Sequence, residues 1–285
     1  MIPFCRVSAL SQAVVRAKVT AMRADIRLIS TDFDGTLVGH PSDGRCVPAL
    51  TDALTGFKAA GGLWAVNTGR SLAHAIEGIE IFRAPVEPDF LLTHEREIYR
   101  RGADGDWLDA GDWNRICNER HAELFHKSGA VFAQIHALLS GARDVTWINE
   151  DGQSCGLITS DEAVMARVAE SLEALRAQFP KFNYQRNTIY LRFCHADYDK
   201  GAVLGELCRQ LGLMADEVFA AGDHFNDLSM LDPKYARHLA CPANAIPQVK
   251  AAVTSAGGCV SGLRYGDGVA EALRRLEIKK PAAVC

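Results

Sequence analysis

The chain has 285 residues, 48% of them hydrophobic and 23% charged, which is ample material for a buried core and excludes a low-complexity or disordered polypeptide. The formal net charge is −4, and no apolar run approaches the roughly 18 residues of a transmembrane helix, so neither nucleic acid nor a membrane is expected as a partner. Nine cysteines stand singly with no C-x-x-C pair, which argues for free thiols in a cytoplasmic protein and against a disulfide framework or a zinc site.

Residues 1–24 carry Arg6, Arg16, Lys18 and Arg23 and no acid, superficially like a transit peptide. Arg6 interrupts any signal-peptide apolar core, and Met22 stands just before the first strand, so this stretch is expected to be a dispensable or lightly packed leader. The first strand is predicted over 26–31. Asp32 and Asp34 follow it. Two acids two residues apart on extended backbone point the same way and repel; a structural protein gains little from this, whereas an enzyme that needs a metal, a nucleophile and a proton shuttle gains much.

A helix is predicted over 47–60 from the apolar spacing of Leu50, Leu54 and Phe57. Strands follow over 63–67, ending in Asn67-Thr68-Gly69-Arg70, and over 90–93. Between residues 96 and 196 the pattern changes. A hairpin at 97–101 and 106–109 precedes a long helix over 115–139. Strands at 144–149 and 154–159 are joined by the turn Glu150-Asp151-Gly152. A helix over 161–178, capped by Ser160 or Asp161, leads to strands at 182–186 and 189–194. In the last strand Tyr190, Arg192 and Cys194 share one face, opposite Ile189, Leu191 and Phe193.

After this insert, Lys200 stands just before a helix predicted over 202–213. A strand at 218–222 then runs into Gly222-Asp223-His224-Phe225-Asn226-Asp227, and a weak strand is predicted at 238–240. The core strands are short and continuously apolar, as in a parallel sheet covered on both faces. The expected fold is therefore α/β, a Rossmann-like parallel-sheet core formed by 25–95 and 197–277, with an α+β domain at 96–196 inserted into it. In such sheets ligands bind beyond the carboxyl ends of the strands, where the polar groups Asp32, Asp34, Thr68 and Asp223 are all predicted to sit.

With these motifs in this order, the chain resembles the haloacid dehalogenase superfamily, in particular its Cof-type and sucrose-phosphatase-like hydrolases with a large α/β cap. The segment between Leu37 and Val47 is too short for a cap at the other insertion point, and 242–253 and 266–273 look like that group's closing motifs. The resemblance implies Asp32 as nucleophile and Asp34 as general acid and base. It implies Mg²⁺ held by Asp32, the main-chain carbonyl of Asp34 and Asp223, with Asp227 helping directly or through water. Thr68, Gly69, Lys200 and Asn226 would bind the phosphoryl group, Asn226 orienting either it or Asp32. His224 does not suit a hard-oxygen metal site and is given no role.

Two positions depart from the family pattern. Thr93-His94-Glu95-Arg96-Glu97 replaces a small-residue turn at the entry to the cap, and Arg192 stands where relatives often have an acid. The implied activity is a Mg²⁺-dependent phosphomonoester hydrolase acting on a small phosphorylated metabolite, a sugar phosphate first, in a cytoplasmic monomer or homodimer. Arg186, Asn187 and Arg192 are the expected readers of the leaving group. The alternatives are a phosphosugar mutase on the same core and a catalytically silent binding protein.

Overall fold

The computed structural model describes residues 25–39, 44–150 and 153–276; the expected leader at 1–24 and the Asp151-Gly152 turn lie outside them. The chain enters through β1 (Leu28–Thr31), buried at all four positions. It continues through α1 (Pro48–Ala59), β2 (Leu63–Asn67), α2 (Leu72–Phe82) and β3 (Phe90–Thr93). Pro48 sits at the first helical position of α1, where its missing N–H costs no helical hydrogen bond. The Ser71 side chain caps α2 by accepting from the His74 N–H. The sequence reading contained no α2.

β4 (Glu97–Arg101) and β5 (Trp107–Asp109) form the expected hairpin, but it does not belong to the insert. β4 pairs antiparallel with β3, opposite residues running from Phe90↔Arg100 to Thr93↔Glu97, so the hairpin extends the core sheet. A division at residue 96 therefore cuts through a continuous sheet. The long helix expected over 115–139 is two helices, α3 (Trp113–Lys127) and α4 (Gly129–Leu138), broken at Ser128-Gly129. Glycine is a poor helix former, and the bend lets Val131 and Ile135 of α4 turn into the core of the insert.

β6 (Val145–Glu150), β7 (Gln153–Thr159), α5 (Glu162–Arg176), β8 (Phe182–Asn187) and β9 (Tyr190–His195) complete the insert. Its strands form an antiparallel sheet in the order β6-β7-β9-β8. The predicted alternation holds from Tyr190 to Phe193, with Leu191 and Phe193 buried in the insert core and Tyr190 and Arg192 facing a cleft. Ile189, expected on the buried face, is instead exposed in the turn and lines the cleft, and Cys194 is buried. Asp161, the second of the two expected caps, accepts from the Val164 N–H at 2.9 Å.

The return to the core brings α6 (Lys200–Leu211), β10 (Val218–Ala221), β11 (His238–Cys241), α7 (Pro247–Ser255), β12 (Cys259–Val260) and α8 (Tyr265–Arg275). The large sheet has the order β12-β11-β10-β1-β2-β3-β4-β5, parallel from β12 to β3. Side chains alternate across it. Ile29, Trp64 and Phe219 pack on α1, α2 and α8, and Leu28, Ala65 and Ala220 pack on α6 and α7. Trp64 is fully buried, and truncating it to alanine would cost about 3–5 kcal/mol. This double-sided packing carries the carboxyl ends of β1, β2, β3 and β10 to one edge of the sheet.

Candidate active site

Asp32 follows β1 and is 5% exposed. Facing it is Lys200, fully buried at the start of α6, whose Nζ donates to Asp32 Oδ1 at 2.6 Å and to Asp227 Oδ1 at 2.7 Å. Local structure fixes that ammonium. Asp199 caps α6 by accepting from the Ala202 N–H at 2.7 Å, and the Lys200 carbonyl accepts from Asn67 Nδ2 at 2.9 Å. Gly201 lets the helix approach the loop after β10, since a Cβ there would lie 2.4 Å from the Ser229 carbonyl oxygen.

Asp227 lies in a 3-10 turn, Phe225–Asp227, that follows β10. Its Oδ2 accepts from the N–H groups of Asp223 (2.8 Å) and His224 (2.9 Å), which closes the loop and turns Asp223 toward Asp32. Asp223 Oδ1 accepts from Thr36 Oγ1 at 3.0 Å. Gly35 adopts φ +86°, and any side chain there would strike the Asp223 carboxylate. One carboxylate oxygen from each of Asp32, Asp223 and Asp227 lies within 4.8 Å of the others.

Three buried carboxylates thus face one ammonium. Burial, then repulsion from Asp227, pushes Asp32 well above the usual carboxylate range against the opposing pull of Lys200. The same two causes push Asp223 up to about 7. Burial works against the charge on Lys200, yet the Asp227 and Asp32 carboxylates outweigh it and hold the ammonium charged. The surplus negative charge on an all-oxygen donor set is what a hard divalent cation cancels, so these residues fit Mg²⁺.

A cleft of about 610 Å³ opens over Asp32 between the core and the insert. Asp34, Thr68, Gly69 and Asn226 line its core wall, and Arg186, Asn187, Tyr190 and Arg192 line the wall formed by β8 and β9. Lys200, Asp223 and Asp227 do not face it. Every residue expected to act on the substrate thus borders this cleft or the acidic cluster beside it. Asn226, expected to orient Asp32 or the phosphate, donates from Nδ2 to Glu95 Oε1 at 2.7 Å. On the insert wall, Arg192 donates from Nε and Nη2 to the Tyr190 hydroxyl at 3.1 and 3.0 Å.

Among the cleft residues to which sequence reasoning gave no role, Arg70 and Glu95 contact expected site residues directly. Arg70 grips Asp34 with two hydrogen bonds, and Asp34 in turn is the main influence holding the guanidinium charged. Glu95 is 7% exposed, and burial raises its pKa. The unusual turn after β3 brings it there. His94 and Glu95 take φ 49° and 62°, the left-handed region that favours glycine or asparagine, and this aims Glu95 at Asn226. The departure from small residues was itself the available signal. His224, left without a role, accepts through Nε2 from the Thr188 N–H at 3.3 Å and so touches the turn between β8 and β9.

The sequence profile of the haloacid dehalogenase-like hydrolases matches residues 146–273. A phosphoglycolate phosphatase from Methanoculleus marisnigri is 28% identical over 267 residues, covering 88% of this chain and 96% of that protein. A mannosylfructose-phosphate phosphatase from Agrobacterium fabrum is 25% identical over 267 residues, covering 87% and 96%. In fold, the chain is similar to the sucrose-phosphatase of Synechocystis sp. PCC6803 solved with sucrose and phosphate (TM-score 0.63, 18% identity, 89% of this chain and 98% of that one).

Proposed function

We propose that the chain is a phosphatase of the haloacid dehalogenase superfamily that hydrolyses a small phosphorylated metabolite, a sugar phosphate first, through an aspartyl-phosphate intermediate. The observation that carries this reading is the meeting of Lys200 with Asp32 and Asp227 beside Asp223, at the edge of a cleft that Asp34 also lines. The relatives named for phosphoglycolate and mannosylfructose phosphate, and the neighbour holding sucrose and phosphate, support a small organic phosphate.

Asp32, Asp223, Asp227 and the main-chain carbonyl of Asp34 would hold Mg²⁺, which when bound supplies the charge cancellation that lets an anionic nucleophile approach an anionic ester. Asp227 already spends Oδ1 on Lys200 and Oδ2 on two N–H groups, so the freer oxygens are those of Asp32 and Asp223. Thr68 and Lys200 hold the phosphoryl oxygens. An Asp32 carboxylate oxygen attacks phosphorus, the bond to the leaving oxygen breaks, and Asp34 gives that oxygen a proton. Asp34 then takes a proton from water, whose oxygen attacks the acyl phosphate and frees Asp32 and inorganic phosphate. Arg70 holds the Asp34 carboxylate in place through both steps with its two hydrogen bonds.

The test is phosphate release over a panel of sugar phosphates, nucleotides and cofactor phosphates with Mg²⁺. Release from at least one ester is expected. Phosphoryl transfer to a second sugar hydroxyl in place of water would favour a mutase, and no turnover of any ester would reject the reading.

A further inference from the structure

We infer that the cleft takes an ester whose leaving group carries a second oxyanion, a carboxylate or a further phosphate, gripped by Arg186. This rests on the phosphatase reading above and names the class of substrate it serves.

Arg186 lies near the end of β8 and lines the same cleft as Asp32 and Asp34. Its guanidinium stacks on the Phe225 ring with its carbon 4.0 Å from the centroid. Phe225 belongs to the turn that carries Asn226 and Asp227, so an insert side chain rests on the core loop that bears two of the expected site residues. A cation over a ring face is held in position by the ring's quadrupole while its N–H groups remain able to donate.

The other arginines of the cleft, and the lysine of the acidic cluster beside it, are matched. Arg70 is paired with Asp34, Lys200 with Asp32 and Asp227, and Arg192 donates to Tyr190. Arg186 forms no ion pair with a carboxylate of the described residues, and its Nε is buried without a hydrogen-bond partner among them. An oriented, half-buried cation with an unsatisfied donor is costly unless something arrives to pair it. Its planar fork matches the paired oxygens of a carboxylate or phosphate. The transferring phosphoryl group is held from the core by Thr68 and Lys200, whereas Arg186 comes from the insert, the side that covers the leaving group. Gln185, Asn187 and Tyr190 on the same wall supply neutral donors and acceptors, which suits a hydroxylated chain bearing an acid.

The test compares kcat/KM for matched esters: phosphogluconate with phosphosorbitol, phosphoglycerate with glycerol phosphate, and a hexose bisphosphate with its monophosphate. Nitrophenyl phosphate serves as the generic ester. The more anionic member is expected to be favoured by roughly 10- to 100-fold in at least one pair, the size of a charge-assisted contact. The first two pairs report a carboxylate and the third a second phosphate. Arg186→Gln should bring that ratio close to unity, Arg186→Lys should retain part of it, and Phe225→Leu, which removes the ring under the guanidinium, should lower it. Equal use of both members of every pair overturns the inference, as does a preference that survives Arg186→Gln. Loss by one factor on all esters also overturns it, because Arg186 would then hold the transferring group. Turnover of nitrophenyl phosphate without any anion preference defeats this inference alone, while no turnover of any ester defeats the phosphatase reading with it.

Discussion

Arg70 holds Asp34 in a two-point clamp, Nε to Oδ2 at 2.7 Å and Nη2 to Oδ1 at 2.6 Å, and rests its guanidinium over the Phe33 ring between the two aspartates. The clamp sets the position of the group expected to shuttle the proton. Arg70→Ala should lower kcat by roughly 10- to 100-fold through misplacement of that carboxylate. Asp34→Asn should lower it by roughly 10²–10⁴-fold. Arg70→Lys, which restores the charge but not the fork, should recover only part of the loss. Equal kcat in wild type and Arg70→Ala would show the clamp to be idle.

Metal dependence follows from the acidic cluster. Excess chelator should abolish phosphate release and added Mg²⁺ restore it, with Asp223→Ala raising the Mg²⁺ concentration needed for half-maximal rate. Zn²⁺ should substitute poorly in an all-oxygen site. Full turnover in chelator would contradict the assignment of Asp32, Asp223 and Asp227 as ligands.

Lys200 is also a structural cation, because without it Asp32 and Asp227 remain buried against each other. Lys200→Ala should lower unfolding stability by about 3–5 kcal/mol, the range for breaking a buried ion pair. Combining it with Asp227→Asn should cost less than the two single changes added together, since the double variant removes a stranded charge. Denaturant unfolding of the four proteins measures this, and strict additivity would mean that the buried charges are not coupled.

Glu97 gives stability a defined pH dependence. Burial opposes its charge, but the hydrogen bond and charge of His94, followed by the charge of Arg96, outweigh this and bring its pKa from 4.5 down to about 2. Its Oε2 lies 3.2 Å from His94 Nδ1 and accepts from the Tyr99 hydroxyl at 3.1 Å. A carboxylate with a lowered pKa in the folded state stabilises above its unfolded value, and the gain is lost as pH falls from 4.5 toward 2. The gap in Tm between wild type and Glu97→Gln should therefore be widest above about pH 5 and shrink toward about pH 2. A gap independent of pH would assign Glu97 a packing role alone.

Much of this arrangement was legible in the chain because each core motif sits at a strand end that local apolar patterning marks. Strands Leu63–Asn67 and Phe90–Thr93 lie where predicted, and Asp32, Thr68 and Asp223 stand just beyond the carboxyl ends of Leu28–Thr31, Leu63–Asn67 and Val218–Ala221. What escaped depended on pairing across long separations. The hairpin of Glu97 to Asp109 reads the same whether it opens an insert or extends a sheet, and only its partner β3 decides. Arg70 looked like part of a common loop because its partner Asp34 lies 36 residues away. Glu95 reached the site through a left-handed turn that its residue type disfavours.

The central claim is that Asp32 takes the phosphoryl group, and acid-quenching the enzyme during turnover tests it most directly. Peptide mass spectrometry of the quenched protein should find a hydroxylamine-labile phosphoryl adduct on Asp32 itself. Asp32→Asn should yield no adduct and no phosphate release above background. An adduct on another residue, or turnover near the wild-type rate in Asp32→Asn, would contradict the account.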